Sequence, residues 1–207
     1  MGTKKIFFSD RELKDLIVPL FIEQFLLSLV GIVDTVIVSY SGEADVSGVS
    51  LVNSFNTVFI FLSTALATGG AVIINQYIGT GKKELAGRSA SQLFTFSLVS
   101  SVIFSVLIIV FSRLLLNFLF GKVEPGVMAA CMTYLNISAY SFPALALYNS
   151  GAALCRSIGK ADITMYISAL ANIVNIIGDA VGVFCLHSGV AGVAWPSFIS
   201  RMIMAAA

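Results

Sequence analysis

Charged residues are scarce in this chain. Asp, Glu, Lys and Arg make up 11% of its 207 residues, against roughly 25% in a typical soluble domain. So few charges cannot cover a water-facing surface, which excludes an ordinary soluble globular protein. The formal net charge is +1, so there is no general basic field of the kind that attracts nucleic acid. We therefore expect no nucleic-acid partner.

Cysteine and histidine are also rare. The three cysteines, Cys131, Cys155 and Cys185, are widely spaced and each lies inside an apolar run. This pattern fits neither a disulfide framework nor metal-ligand spacing, and we interpret them as small buried hydrophobic side chains. His187 is the only histidine, and no cysteine or carboxylate is spaced to share a metal with it. The sequence thus predicts no metal centre and no cofactor.

Apolar residues account for 57% of the chain and fall into six stretches. The first five are long enough to cross a hydrocarbon core of about 30 Å at about 1.5 Å per residue. They are continuously apolar, where a membrane β-strand would alternate over about ten residues. Pro196 and Arg201 interrupt the sixth stretch, which we expect to be a truncated span. The stretches are residues 16–40, 47–74, 91–116, 127–154, 163–186 and 189–207.

These stretches predict an all-α integral membrane protein with about six transmembrane helices in a lipid bilayer. Residues 1–15 form a predicted polar N-terminal segment, and residues 16–207 a predicted six-helix unit. Lys and Arg are unequally divided between the two sides of the membrane, which predicts a cytoplasmic N-terminus in the cytoplasmic membrane. One side receives Lys4, Lys5, Arg11, Lys14, Lys82, Lys83, Arg88, Arg156 and Lys160, and the other Arg113 and Lys122.

Three carboxylates interrupt the apolar stretches: Glu23, Asp34 and Asp179. Ionisable groups inside a span are costly and are by default functional candidates. Glu23 and Asp34 are separated by about three helical turns, and a rotation of about 100° per residue places them on one face of the first helix. In the fifth helix Asn172, Asn175 and Asp179 form a polar stripe that must face the bundle interior or a water-filled cavity.

Ser197 adds a hydroxyl to the sixth helix, beside Pro196, which frees a backbone carbonyl. A carboxylate pair, an amide and a hydroxyl can together hold a proton or a small cation. The residues leave a structural alternative open, in which Asp34 and Asp179 only form hydrogen bonds to neighbouring helices.

Three further polar residues, Glu23, Gln24 and Asn172, are predicted to line a substrate cavity. Glu23 and Gln24 each have an alternative that the sequence leaves open. The Glu23 side chain can extend to the membrane interface, and Gln24 can join helices by hydrogen bonds instead of contacting a substrate.

Five segments resemble, in order and position, those of the multidrug and toxic compound extrusion transporters. The segment that ends in Val-Asp-Thr is similar to that family's first helix, with Asp34 at the place of its essential aspartate. Asn175 and Asp179 match the family's cation-site positions, and Ser197 stands where relatives carry a hydroxyl residue. The five segments are residues 19–35, 75–82, 156–162, 172–179 and 189–201.

This resemblance implies a cation-coupled antiporter that exports amphipathic, often cationic organic compounds against the entry of H⁺ or Na⁺. It implies coupling roles for Asp34, Asn175, Asp179 and Ser197, with the first three as ligands if the ion is Na⁺. Members of that family have twelve spans in two six-helix lobes related as a parallel repeat. The chain would then be the N-terminal lobe, with a second six-helix lobe in a missing C-terminal half or in a second chain.

Two other classes of function fit the residues less well. An intramembrane aspartyl protease would use two aspartates, but it carries Tyr-Asp and Gly-x-Gly-Asp motifs. Here Val33 precedes Asp34, and Ile176 stands at the place of the first glycine, so we predict that the protein is not an enzyme. A lipid-linked sugar flippase of the same superfamily usually has a cationic cavity, for which the spans offer Arg201 at most. The flippase stays open as an alternative, as does a non-transporting fragment or subunit.

Overall fold

The structure, a computed structural model, describes residues 10–121 and 123–207, and nearly all of these residues are helical. The predicted all-α architecture with six helices is confirmed. Lys4, Lys5 and Lys122, which entered the count of basic residues, lie outside the described residues, as does most of the predicted N-terminal segment. The helices are α1 (Asp10–Ser39), α2 (Glu43–Gly79), α3 (Lys83–Phe120), α4 (Pro125–Ser157), α5 (Ala161–Ala180) and α6 (Val190–Ala206), with a π-helical segment, Val181–Cys185, between the last two.

Most of the helices extend beyond the apolar stretches. Hydropathy marks a span only as far as the first charges, whereas the backbone stays helical into the polar zone. At the start of α3, for example, Arg88 Nη2 lies 2.8 Å from Glu84 Oε1, one helical turn away, a spacing that supports helix formation. Four segments are long and apolar enough to cross a membrane: Ile17–Ser39, Glu43–Gly79, Lys83–Phe120 and Ala161–Cys185. The chain is a multi-pass membrane protein.

Helix α4 is the centre of the bundle. It packs extensively against α2, α3 and α6, and its side chains Leu135, Phe142 and Ser141 are fully buried. Because α4 is covered by protein and not by lipid, it can carry many serine, asparagine and tyrosine residues whose hydrogen bonds are made inside the bundle. This explains why a helix of 33 residues is less apolar than its neighbours.

Aromatic rings hold the three central helices together. Phe59 of α2 stacks on Phe142 of α4 with ring centroids 4.0 Å apart, and on Phe104 of α3 at 5.1 Å. Stacked pairs of this kind stabilise by more than their buried area alone. Among the cysteines, Cys131 is buried in this core as predicted, whereas Cys185 is exposed.

Glycine allows α5 and α6 to approach closely. A Cβ atom at Gly178 would lie 2.6 Å from Pro196 Cβ, and one at Gly182 would overlap the backbone of Gly192. Gly182 lies in the π-helical segment, where Leu186 N–H donates to the Val181 carbonyl oxygen at 3.0 Å. A π-helical turn often stands next to a functional residue, and this one begins two residues after Asp179.

Replacing Gly182 by alanine is expected to lower the free energy of unfolding by about 1–3 kcal/mol, because the added methyl group forces α5 and α6 apart. Thermal unfolding of the protein purified in detergent measures the change. Gly69→Ala is the matched control, since a Cβ at Gly69 meets nothing within 4 Å. Equal midpoints for the two variants would show that the close contact at Gly182 contributes nothing to stability.

Candidate ion-coupling site

Two aspartates from different helices meet inside the bundle. Asp34 lies near the C-terminal end of α1 and is half-buried, while Asp179 lies near the end of α5 and is fully buried. Helix α1 packs extensively against α5, which brings the two carboxyl groups close to each other. Two ionised carboxylates at such a distance repel, so the pair favours a shared proton or a bound cation.

Several oxygen atoms of this pair are buried without a hydrogen-bond donor from the protein. Asp34 Oδ1 and both carboxyl oxygens of Asp179 are in this state. A buried charged group without partners costs several kcal/mol, and most buried polar atoms in folded proteins are satisfied. The pair therefore has the chemistry of an acceptor site for a proton or a small cation.

The polar stripe of α5 extends the site toward α6. Asn175 is 4% exposed, and its Nδ2 donates a hydrogen bond to Ser197 Oγ at 3.2 Å. Ser197 follows Pro196, at which α6 packs against Gly178. The structure thus brings Asp34, Asp179, Asn175 and Ser197 into one region between α1, α5 and α6. Their role in ion coupling stays a prediction.

Asn172 lies on the same face of α5, one turn before Asn175. It is 8% exposed, and its Nδ2 has no hydrogen-bond acceptor in the described protein. The side chain therefore adjoins the candidate ion site, although we predicted it for the substrate cavity. An unpaired amide at this place can still contact a polar group that enters the region.

Tyr134 is a member of this region that sequence reasoning missed. It lies on α4, is 3% exposed, and donates a hydrogen bond from Oη to Asn53 Oδ1 of α2 at 3.1 Å. Its hydroxyl also lies near Ser197 and the two aspartates. A tyrosine inside an apolar stretch gives no signal of its own, because its neighbours come from other helices.

Glu23 lies in a separate cluster. It is 3% exposed and sits about three turns of α1 away from Asp34, which is about 16 Å along the helix. Its carboxylate accepts hydrogen bonds from Tyr148 Oη at 3.3 Å, Thr164 Oγ1 at 3.2 Å and Ser168 Oγ at 3.2 Å. Arg156 Nη1 lies 3.5 Å from Glu23 Oε1.

These contacts join α1, α4 and α5 and hold the Glu23 carboxylate inside the bundle. Gln24, the next residue, is exposed. The structure therefore brings neither Glu23 nor Gln24 to the Asp34–Asp179 pair, and their predicted contact with substrate stays a prediction.

The fold is a bundle of membrane-spanning helices that encloses an acidic pair. A family model described as MatE matches residues 19–181, and the chain belongs to this family of transporters. An uncharacterized transporter of Bacillus subtilis (strain 168), YisQ, is 31% identical over 194 residues, which cover 89% of this chain and 41% of that protein. The multidrug and toxin extrusion protein 2 of Mus musculus is 24% identical over 189 residues, which cover 91% of this chain and 32% of that protein.

Solved structures show the same fold. A MOP superfamily transporter from Pyrococcus furiosus matches with a TM-score of 0.87 at 22% identity, over 94% of this chain and 43% of that chain. A structure described as the outward-facing conformation of a multidrug resistance MATE family transporter gives the same values. The chain thus spans less than half the length of the relatives it matches, and its fold corresponds to one part of these larger transporters.

Proposed function

We propose that this chain is the N-terminal lobe of a cation-coupled antiporter, which exports amphipathic, often cationic organic compounds against the entry of H⁺ or Na⁺. The observation that carries the proposal is the Asp34–Asp179 pair. A purely structural role would leave its buried carboxyl oxygens without donors and without any compensating gain. Membership in a transporter family and the multidrug names of two relatives support the proposed substrate class.

Ion binding at this pair would act on several helices at once. A proton or Na⁺ between the carboxyl groups of Asp34 and Asp179 neutralises their repulsion and favours close packing of α1 on α5. The hydrogen bond from Asn175 to Ser197 extends the effect to α6. An ion that binds one arrangement of these helices better than another shifts the balance between them, which is how an ion gradient can drive transport.

We place the N-terminus in the cytoplasm and the protein in the cytoplasmic membrane. The C-terminal ends of α2 and α4 lie on one side of the bundle, because Asn75 Nδ2 donates a hydrogen bond to the Ser157 carbonyl oxygen at 3.3 Å. Basic residues follow both ends, which supports a cytoplasmic position for them. A second six-helix lobe, in the same protein or in a second chain, would supply the rest of the substrate cavity.

A lipid-linked sugar flippase of the same superfamily is less well supported. Such a protein needs a cationic cavity for its phosphate groups, whereas two acidic side chains and one basic one, Arg201, meet in the described part of this site. The buried carboxyl oxygens without donors also argue against a non-transporting fragment or subunit, which would have no use for them.

Transport of a fluorescent cationic dye tests the proposal. Inside-out membrane vesicles carrying the chain, alone or together with the remaining part of the Bacillus YisQ transporter, are energised with a pH or Na⁺ gradient. We expect gradient-driven dye uptake by the unaltered chain, and uptake at the background rate for Asp34→Asn. The matched control is Asp162→Asn, which removes an exposed carboxylate from the first turn of α5 and should leave uptake unchanged.

Uptake that persists in Asp34→Asn would contradict a coupling role for the pair. Absence of uptake by every variant, with and without the added lobe, would contradict the proposed transport of cationic compounds. Dependence on one gradient alone would identify the coupling ion.

A further inference from the structure

Arg201 is the one basic side chain that the structure places beside the acidic pair within the described residues. It lies on α6 one turn after Ser197 and is half-buried. Its Nη1 donates a hydrogen bond to Ser141 Oγ of α4 at 2.7 Å. Ser141 is fully buried and donates in turn to the Ser138 carbonyl oxygen at 2.6 Å. The guanidinium is thus anchored inside the bundle and is not turned to lipid.

The guanidinium lies in the region of Asp34 and forms no ion pair with it. Arg201 follows Ser197 by one turn of α6, and Ser197 Oγ accepts a hydrogen bond from Asn175 Nδ2 of the candidate site at 3.2 Å. The guanidinium therefore lies in the same region as Asp34 and interacts with it electrostatically. Among the ion pairs formed by the described residues, none joins Arg201 to Asp34 or Asp179. Ser141 therefore holds a fixed positive charge in this region, and the guanidinium forms no bond to the carboxyl oxygens of the pair.

The balance between acidic and basic side chains in this region limits the number of cations that can bind there. Asp34 and Asp179 carry at most two negative charges, and arginine stays protonated in proteins. Buried charge of one sign must be neutralised from nearby, and Arg201 supplies one positive charge permanently. Only one negative charge then remains for a bound monovalent cation, and that cation is repelled by the guanidinium.

We propose that Arg201 is a specificity-determining residue, a tethered counter-ion that lowers the affinity of the Asp34–Asp179 site for Na⁺ and other monovalent metal ions. The inference rests on the proposed function, in which this pair binds the coupling cation. A proton shared between the two carboxyl groups needs no coordination shell and leaves the guanidinium in place. A sodium ion has to occupy the space beside it.

Sodium-dependent stabilisation of the protein in detergent tests this role. The midpoint of thermal unfolding is recorded against NaCl concentration at constant pH, with choline chloride keeping the ionic strength constant. Arg201→Gln removes the charge and keeps a donor for Ser141, so we expect at least about a tenfold decrease in the apparent Kd for Na⁺. Arg201→Lys keeps the charge and should remain like the unaltered protein.

A second variant is expected to lower the affinity for Na⁺, which is the opposite of the effect expected for Arg201→Gln. Ser141→Ala frees the guanidinium from α4, so that it can approach Asp34, and should weaken any response to Na⁺. This variant leaves Arg201 itself intact and therefore tests the role even if Arg201→Gln does not fold. A purely structural role of the contact between α6 and α4 would shift the midpoint for each variant without changing its dependence on Na⁺.

An unchanged apparent Kd in Arg201→Gln, or a Kd that falls in Arg201→Lys as much as in Arg201→Gln, would overturn the inference. Adding Asp34→Asn to Arg201→Gln should remove the Na⁺ response, which assigns the response to the acidic pair. If instead dye transport proceeds normally in Asp34→Asn alone, the proposed function fails, whatever the affinity for Na⁺.

Discussion

Asp179→Asn is expected to abolish cation-driven transport and, at the same time, to raise the thermal stability of the protein. Asp179 is fully buried, and neither of its carboxyl oxygens has a donor among the described residues. An amide of nearly the same shape removes the repulsion with Asp34 and can donate a hydrogen bond to it. We expect a gain of about 1–3 kcal/mol in the free energy of unfolding, measured by thermal denaturation in detergent beside the dye assay.

A loss of transport together with a gain in the free energy of unfolding distinguishes a coupling role of Asp179 from a structural one. Asp162→Asn, on the same helix but exposed, should change neither quantity. If Asp179→Asn lowered stability and transport together, the carboxylate would be serving as a structural hydrogen-bonding group, and the case for the pair as a coupling site would fail. A stabilised and fully active variant would equally contradict the role.

The helices and their order could be predicted from the sequence, because each bilayer span leaves a long apolar stretch. The faces of α1 and α5 could also be predicted. A rotation of about 100° per residue puts Asn172, Asn175 and Asp179 on one stripe, and the structure shows that stripe buried. The small-xxx-small spacing of Gly178 and Gly182 predicts close helix packing, and the contacts of both glycines with α6 confirm it.

The contacts between helices could not be predicted, because they depend on how each helix is rotated against its neighbours. Glu23 and Asp34 share a face of α1, yet the structure places them in two separate clusters with different partners. The hydroxyl groups around Glu23 come from α4 and α5, far away in the sequence. In the same way nothing in the stretch around Tyr134 or Ser141 indicates that these residues meet α2 and α6.

The two clusters also differ in how well their charges are satisfied. Glu23 accepts hydrogen bonds from three hydroxyl groups and lies beside Arg156, whereas the oxygens of Asp179 have no donor. A well-satisfied carboxylate stabilises the fold, while an unsatisfied one is retained where a ligand completes it. We therefore expect a structural role for the Glu23 cluster and keep the functional role of the aspartate pair as our proposal.

Glu23→Ala is accordingly expected to destabilise the protein by about 3–5 kcal/mol, since it leaves Arg156 without its partner and removes the carboxylate acceptor that three hydroxyl groups share. Partial exposure of the Arg156 side chain, 25%, places the expected value toward the lower end. Glu23→Gln keeps an acceptor oxygen and should destabilise less. Thermal unfolding in detergent measures both, with Glu43→Gln, an exposed carboxylate at the start of α2, as the control.

The double variant Glu23→Ala with Arg156→Met separates the ion pair from the rest of the cluster. If the loss comes mainly from an uncompensated guanidinium, the second substitution should restore part of the stability. If it comes from the hydroxyl groups of Tyr148, Thr164 and Ser168, the double variant should be no more stable than Glu23→Ala. Midpoints for Glu23→Ala and Glu43→Gln that agree would contradict a structural role for the cluster, because a buried and an exposed carboxylate would then contribute alike.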